Sequence, residues 1–552
     1  MVHLRTLGAC GTALIVLVAC NRDTQHSAGE VSGSWRPTAI KEVRGVPIAA
    51  LRAELQRELS AKPVHATDDQ WHHAKKLYGQ FQTSPLWLDE DGVIKSRANA
   101  LIDALVNATT DAIDIDQYPL FELAQNLDSL RITKSPSAAL LARTDLLLTT
   151  AYAGLAEDYL TGQIDPKTVA QSWHIDPQED EVDSALVRSL RDKNLPDAIG
   201  RMRPLDYDYE MLRRKLTDYR QIASAGGWTQ VLAGKILKRG DRDPVRVQSL
   251  RTRLRAEGFQ TDTGAVFDQS LSAAIAQFQS HHAIGVDSAL GTETFNALNV
   301  PATFRVAQIA ANLERYRWLP RRLGAKYVFV NVPAFRLEGH VNGEKTIEMK
   351  VIVGSEYEGK ATPVFSDSME YVVFRPYWNV TPDIAAKEFF PKYGSNLPEG
   401  YETYTEKGQL RIRQRPGEKN SLGLVKFLFP NDFNIYLHDT PNDNLFKQDV
   451  RAFSHGCIRL EKPDELAEWV LGWDAARVHQ AMETGPDNRT VTIPKKIPVY
   501  IVYFTSYMRD GQLWFGNDLY KRDDQLAQAV AGGAMPTGNA VRAIEALRKL
   551  TD

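Results

Sequence analysis

The segment from His438 to Arg459, HDTPNDNLFKQDVRAFSHGCIR, concentrates reactive side chains in a short stretch. Its thiol, Cys457, is only a few per cent ionised at neutral pH if its pKa is near the usual value of about 8.5. To act as a nucleophile it needs a base or an electropositive setting. Two histidines lie close in sequence. His438 closes a strand-like run nineteen residues before Cys457, and the loop between them can fold back to bring imidazole beside sulfur. His455 stands two residues before Cys457, and in an extended stretch residues two apart point the same way. Gly456 between them permits a tight turn, so that the amides of Gly456 and Cys457 can face a substrate carbonyl. Each preorganised donor of that kind is worth roughly 3 kcal/mol to a tetrahedral oxyanion. Arg459 adds fixed positive charge that can support a thiolate, hold a carboxylate or brace the loop. The plain alternative is that Cys457 is a small buried core residue, a common role for a free cysteine.

The cysteine count bears on that choice. The chain has three cysteines, Cys10, Cys20 and Cys457. After His3 and Arg5 an uncharged stretch of 14 residues runs from Thr6 to Ala19, short for a membrane span and suited to the core of a signal peptide. It ends in Leu17-Val18-Ala19-Cys20, which resembles the lipobox of bacterial lipoproteins, with Cys20 as the lipidated residue; a plain cleaved signal or an uncleaved anchor are the alternatives. Each reading exports the body of the chain, and with Cys10 removed in the signal peptide and Cys20 carrying lipid, Cys457 is left as a lone thiol in an oxidising compartment. The apolar run Ala138–Leu160 carries Arg143, Asp145, Glu157 and Asp158 and reads as a buried helix, not a span.

The elements that must position these residues follow from length and periodicity. At 552 residues the chain exceeds one hydrophobic core. A net charge of −3 gives no general reason to bind nucleic acid. Residues 20–45 are polar and read as a flexible tether. Residues 46–240 are mainly helical, as in the spacing of Leu51, Leu55 and Leu59, and carry no catalytic motif, which suits a scaffold. Residues 243–300 form a three-helix unit, and 301–325 a helical connector. From 326 to 505 short strands joined by turns predict a mostly β catalytic domain, sandwich-like or barrel-like. Among them are Tyr327–Val332, Lys350–Val353, Glu370–Phe374, Asn434–His438 and Val499–Tyr503. The strand pattern lapses at about 382–430, which predicts an inserted lobe or lid, and 506–552 is a C-terminal extension.

The ordered set His438, Ser454, His455, Gly456, Cys457 and Arg459 closely resembles the active-site signature of the L,D-transpeptidases, the YkuD-type domain. The resemblance implies Cys457 as acyl-accepting nucleophile, His438 as base, and Ser454-His455-Gly456 as the shaper of the oxyanion hole. Short family members have Gly after the base, where this chain has Asp439. The series Phe278-Gln279, Gly285, Asp287, Gly291, Thr294, Leu298 resembles the peptidoglycan-binding domain of bacterial wall enzymes. The order of parts is similar to the long multidomain branch of the family, a multidomain α+β chain. Trp378, with Tyr377, then either lines the stem-peptide groove or forms a structural aromatic pair. Tyr436 either orients the base or belongs to the core. The implied reaction joins two diaminopimelate residues of peptidoglycan stem peptides in a 3→3 cross-link through a thioester. It requires no cofactor and no metal, and is carried out in the periplasm by a lipid-anchored, carbapenem-sensitive enzyme. Hydrolysis of the same thioester by an L,D-carboxypeptidase, or a non-catalytic wall-binding protein, are the rival readings. A zinc peptidase is disfavoured because no His-Glu-x-x-His stretch occurs.

Overall fold

A computed structural model describes residues 37–176, 182–356, 359–394 and 396–551. The signal-like segment 1–19 and Cys20 lie outside the described residues. The expected tether, 20–45, needs correction at its C-terminal end. Val43 is fully buried in the helical core, and the Arg44 guanidinium donates to the Leu130 carbonyl at 2.7 Å. A polar composition hid these anchors, since Pro37 is also buried and Ile40 packs against the same core as Val43.

The first core is helical and is built around α1 (Ile48–Glu58), α2 (Asp68–Gln80), α3 (Lys95–Ala108), α4 (Leu120–Ile132) and α5 (Ala138–Thr161). Asp145 and Asp158 of α5 are internal fittings, while Arg143 is exposed. Asp145 accepts the Tyr78 hydroxyl at 2.6 Å and the Leu86 and Trp87 amides, so a buried carboxylate replaces water with three donors. No helix among the described residues is long and apolar enough to cross a membrane. Gly162 ends α5 at φ +91°, and a Cβ there would come within 2.5 Å of Glu314 and 2.7 Å of Trp318. Only glycine allows that approach.

Glu314 and Trp318 belong to the next surprise. The expected connector contains α6's packing partner: α6 (Tyr207–Ser224) lies against a helix at Ala302–Arg317. That helix is no spacer, because Val306, Ile309, Ala310 and Leu313 are fully buried in the second, largest core. Its polar residues bind both neighbours: Arg317 donates to the Asp111 carbonyl of the first core at 2.7 Å, and Arg315 pairs with Asp523 at 2.6 Å. Between α6 and this helix sit α7 (Pro244–Ala256), α8 (Gln269–His281) and α9 (Thr292–Leu298), around a small core of Leu250, Leu254, Leu271, Ile275 and Phe278. Buried Gln279 explains the motif noted above. It donates to Asp287 at 2.6 Å and to Thr294 at 2.9 Å, and accepts the amides of residues 287 and 288. Following Ala302–Arg317, now α10, a further helix at Gly538–Thr551, α11, returns to pack on α3 and α4.

The β-rich domain rests on one closing sheet. Its strands are β1 (Trp173–His174), β2 (Lys326–Asn331), β3 (Arg336–Val341), β4 (Glu344–Gly354), β5 (Val364–Phe374), β9 (Val425–Leu428), β10 (Leu437–His438), β12 (Ile458–Leu460) and β13 (Arg489–Val502). Here β6 (Trp378–Asn379), β7 (Tyr401–Glu406) and β8 (Gln409–Gln414) form a separate sheet, and β11 (Ala452–Ser454) pairs with β4. The hydrogen-bonded order is β9-β10-β12-β4-β3-β2-β13-β5, and β5 pairs with β9 again, so the ring closes. Barrel-like closure removes open edges. β1, from the helical region, adds to β5 in parallel through Trp173↔Val364.

The inserted lobe differs from its expected bounds of 382–430. It is not strand-poor, since β7 and β8 form a hairpin, and β9 inside those bounds belongs to the main sheet. The hairpin was illegible because it is largely solvated: its burial pattern lacks the strict alternation that marks a half-buried strand.

Candidate active site

The register of three short strands gathers the polar side chains on one face. β9 and β10 are antiparallel with Lys426 opposite His438, and β10 and β12 are parallel with His438 opposite Arg459. Directly paired residues point to the same face of a sheet. The alternate residues Val425, Phe427, Leu437, Ile458 and Leu460 are buried in the core, which fixes this register, because a one-residue slip would expose them all. Lys426, His438 and Arg459 therefore share the opposite face. Tyr436 and Cys457, two residues back on their chains, join them, with the rings of Tyr436 and His438 5.6 Å apart. The Lys426 ammonium lies 5.8 Å from the Tyr436 ring centroid.

Cys457 is half-buried, and its thiol donates to the Asn434 carbonyl at 3.7 Å. Burial pushes its pKa up; hydrogen bonds from Tyr436 and the charges of Arg459 and Lys426 pull it back down. His438 is buried, and burial lowers its pKa to about 3, with Arg459 and Lys426 adding to the effect. Its imidazole is therefore neutral across the physiological range. Nδ1 sits 2.6 Å from the Asp439 carbonyl, a contact that requires the proton on Nδ1 and leaves Nε2 as the acceptor. Among the described residues the imidazole makes no hydrogen bond to the Cys457 thiol.

The turn before the thiol departs from expectation. Residues 455–457 are not extended, because Gly456 takes φ +114°, so His455 and Cys457 do not share a face by alternation. His455 is exposed. Ser454 is buried and inward-facing. Its hydroxyl donates to the Cys457 carbonyl at 2.5 Å and accepts the Gly456 amide at 3.1 Å. The Gly456 N–H is thus already satisfied, which corrects the expected pair of oxyanion amides. The Cys457 amide alone has no acceptor among the described residues.

Of the two readings of Trp378, the structure shows the packing one. It packs into the lobe's own small core with Val380, Phe389 and Tyr401, its ring 6.3 Å from that of Tyr401. Tyr377 lies under the Arg413 guanidinium at 4.0 Å. Of the expected strand Asn434–His438, only Leu437–His438 pairs. Asn431 accounts for the loss, since its side chain accepts the amides of Phe433 and Ile435 and donates to the Ile435 carbonyl at 2.8 Å.

Asp439, the departure from the short-member pattern, is a loop brace. Its carboxylate accepts the Leu424 amide at 2.7 Å and the Thr440 amide at 2.6 Å, and burial raises its pKa to about 6. It occupies the space over Gly423, where a Cβ would approach within 2.2 Å.

Lys426 carried no sequence signal, because only strand register places it beside His438. Lys426→Met keeps the aliphatic stem over Tyr436 and removes the charge. The pH curve for iodoacetamide labelling of Cys457 should shift to higher pH, with labelling at pH 7 slowed several-fold. An unshifted curve would remove Lys426 from the site.

Family models match residues 325–501 as an L,D-transpeptidase catalytic domain, 72–216 as a scaffold domain and 244–298 as a peptidoglycan binding domain. A Haemophilus influenzae protein described as "Putative L,D-transpeptidase" is 31% identical over 245 residues, 40% of this chain. The match spans about half of that relative's own length, 48%. Two solved structures are more distant. The L,D-transpeptidase of Xylanimonas cellulosilytica is 16% identical, covering 49% of this chain and 99% of its own, with a TM-score of 0.15. A Clostridium acetobutylicum protein titled as a fused Zn-dependent amidase/peptidase with a peptidoglycan-binding domain is 13% identical, covering 49% of this chain and 100% of its own, with a TM-score of 0.14. At those scores neither informs the fold or the activity. Residues 325–501, which hold Cys457 and His438, belong to the YkuD family of L,D-transpeptidase catalytic domains, joined in one chain to a scaffold domain and a peptidoglycan-binding domain.

Proposed function

We propose that the protein is a peptidoglycan L,D-transpeptidase that forms 3→3 cross-links through a Cys457 thioester. The observation that carries the reading is the shared face of Cys457, Tyr436, His438, Lys426 and Arg459 within the matched catalytic domain. A raised thiol beside a neutral imidazole disfavours a standing thiolate–imidazolium pair, so proton removal accompanies attack. Sγ bonds to the carbonyl carbon at the L-centre of diaminopimelate in a tetrapeptide stem, and Nε2 of His438 takes the thiol proton. The Cys457 amide receives the oxyanion. The C–N bond to D-Ala breaks and the amine leaves with that proton. The amine of a second diaminopimelate then attacks the thioester, forming the cross-link and restoring the thiol. No cofactor takes part. Lys426 and Arg459 stabilise negative charge on sulfur in both steps.

With water as acceptor the same acyl-enzyme gives an L,D-carboxypeptidase. Residues 17–20 support export and lipid anchoring at Cys20 in the periplasm, where peptidoglycan is the partner. The test is to incubate purified protein with disaccharide-tetrapeptide and weigh the products. Cross-linked dimer supports the transpeptidase and tripeptide alone the carboxypeptidase. No product at all would leave a wall-binding protein. A carbapenem should add one drug mass to the peptide containing His455-Gly456-Cys457, and an adduct on a serine would refute the mechanism.

A further inference from the structure

The nucleophile turn is held by one residue of the matched catalytic domain, Thr362, which is itself held by two residues beyond that domain. Thr362 is fully buried, and its hydroxyl donates to the Gly456 carbonyl at 2.9 Å while accepting the Gly354 amide at 3.0 Å. The C-terminal extension takes both of its main-chain groups. Its amide donates to the Tyr520 hydroxyl at 3.2 Å, and its carbonyl accepts Nη2 of Arg522 at 3.2 Å. The Tyr520 hydroxyl proton goes to the Gly354 carbonyl at 2.7 Å, so this one phenol ties together both sides of the 354–362 segment. Tyr520 and Arg522 reach the same residue because Lys521 between them adopts φ +53°, an uncommon conformation for lysine. The pair is braced in turn. The Tyr520 ring stacks on Tyr503 at 5.6 Å, and the Arg522 guanidinium lies 4.7 Å from the Tyr520 centroid.

A trans peptide is planar, so the carbonyl of Gly456 and the amide of Cys457 point in opposite directions within one rigid unit. Holding the carbonyl against Thr362 therefore aims the Cys457 N–H. We infer that Thr362, Tyr520 and Arg522 are positioning residues that orient the Cys457 amide as oxyanion donor, two of them supplied by the C-terminal extension. The inference rests on the acyl-transfer reading of Cys457.

The full chain tests it with two readouts, turnover of disaccharide-tetrapeptide and alkylation of Cys457 by iodoacetamide. Alkylation is a displacement at saturated carbon and develops no oxyanion. Thr362→Val should lower kcat about 10- to 100-fold with KM nearly unchanged, part of the ~10²- to 10³-fold effect of removing a donor outright. Tyr520→Phe, which keeps the ring stack, should lower kcat roughly 3- to 10-fold, and Thr362→Ser should restore most of the wild-type rate. Alkylation should be nearly unchanged in all three. Wild-type kcat in both Thr362→Val and Tyr520→Phe would overturn the inference. So would a parallel fall in alkylation and turnover, the mark of general loosening. A wild-type protein inactive on the tetrapeptide refutes the functional reading and the inference with it; an active wild type with indifferent variants refutes the inference alone.

Discussion

Cys457→Ser should abolish cross-linking, lowering turnover by at least about 10³-fold, while the fold survives. A serine hydroxyl is far harder to ionise than a thiol, and nothing on this face is arranged to compensate. The same His438 imidazole that takes a proton from a thiol would have to take it from an alcohol, which holds its proton several pKa units more tightly. Lys426 and Arg459 stabilise a thiolate that is within reach but not an alkoxide. The side chains are almost isosteric and Cys457 is only half-buried, so thermal stability should change by no more than about 0.5 kcal/mol. Mass spectrometry of the products, beside a melting curve, checks both halves. Product formation by the serine variant at a level comparable to wild type would sink the assignment of Cys457.

His438→Ala should slow acylation by roughly 10²- to 10⁴-fold, the usual worth of a general base. The pH profile carries the sign. A histidine with a lowered pKa is neutral, and able to accept a proton, at every pH above about 3. Wild-type acylation should therefore show no acid limb near pH 6.5 from His438. Its rate should climb through neutrality towards alkaline pH as Cys457, raised above the usual thiol range, begins to ionise. The alanine variant should lean more heavily on alkali. Exposed His455 is the control, and a larger loss in His455→Ala than in His438→Ala would exchange the two roles.

Much of the site was legible in the sequence because its signals are local. A Cys two residues before an Arg, a Gly just ahead of the thiol and a His closing a strand-like run all fall within one short segment. Lys426 was invisible because it depends on which strand lies beside which, and strand partners are non-local. The oxyanion expectation went astray at Ser454, whose hydroxyl turns inward and takes the Gly456 amide. Spacing alone does not reveal which donors are already spent. Trp378 stayed open between two readings because an aromatic residue reads the same whether it faces a groove or the small core of its own lobe. The helices were legible through periodicity, as in Ala138–Leu160, which forms most of α5. The burial of Ala302–Arg317 was not, because its arginines and glutamate look solvent-facing until Asp111 and Asp523 supply their partners.

The return of α11 to the helical core has a consequence for when this protein can be finished. Ala543, Ile544 and Leu547 are buried among residues that begin with Val43, so one apolar surface is closed by segments some 500 residues apart. During synthesis that surface stays open until residues 538–551 have been made. Ile544 and Leu547 each contribute on the order of 1.5–3 kcal/mol, which the early helices lack while they wait. The catalytic ring is in the same position, because β2 and β5 must hold their places until β13 arrives between them. Folding here is a late event that links the scaffold and the catalytic domain, so a chain interrupted during synthesis leaves exposed apolar surface in both instead of a working half.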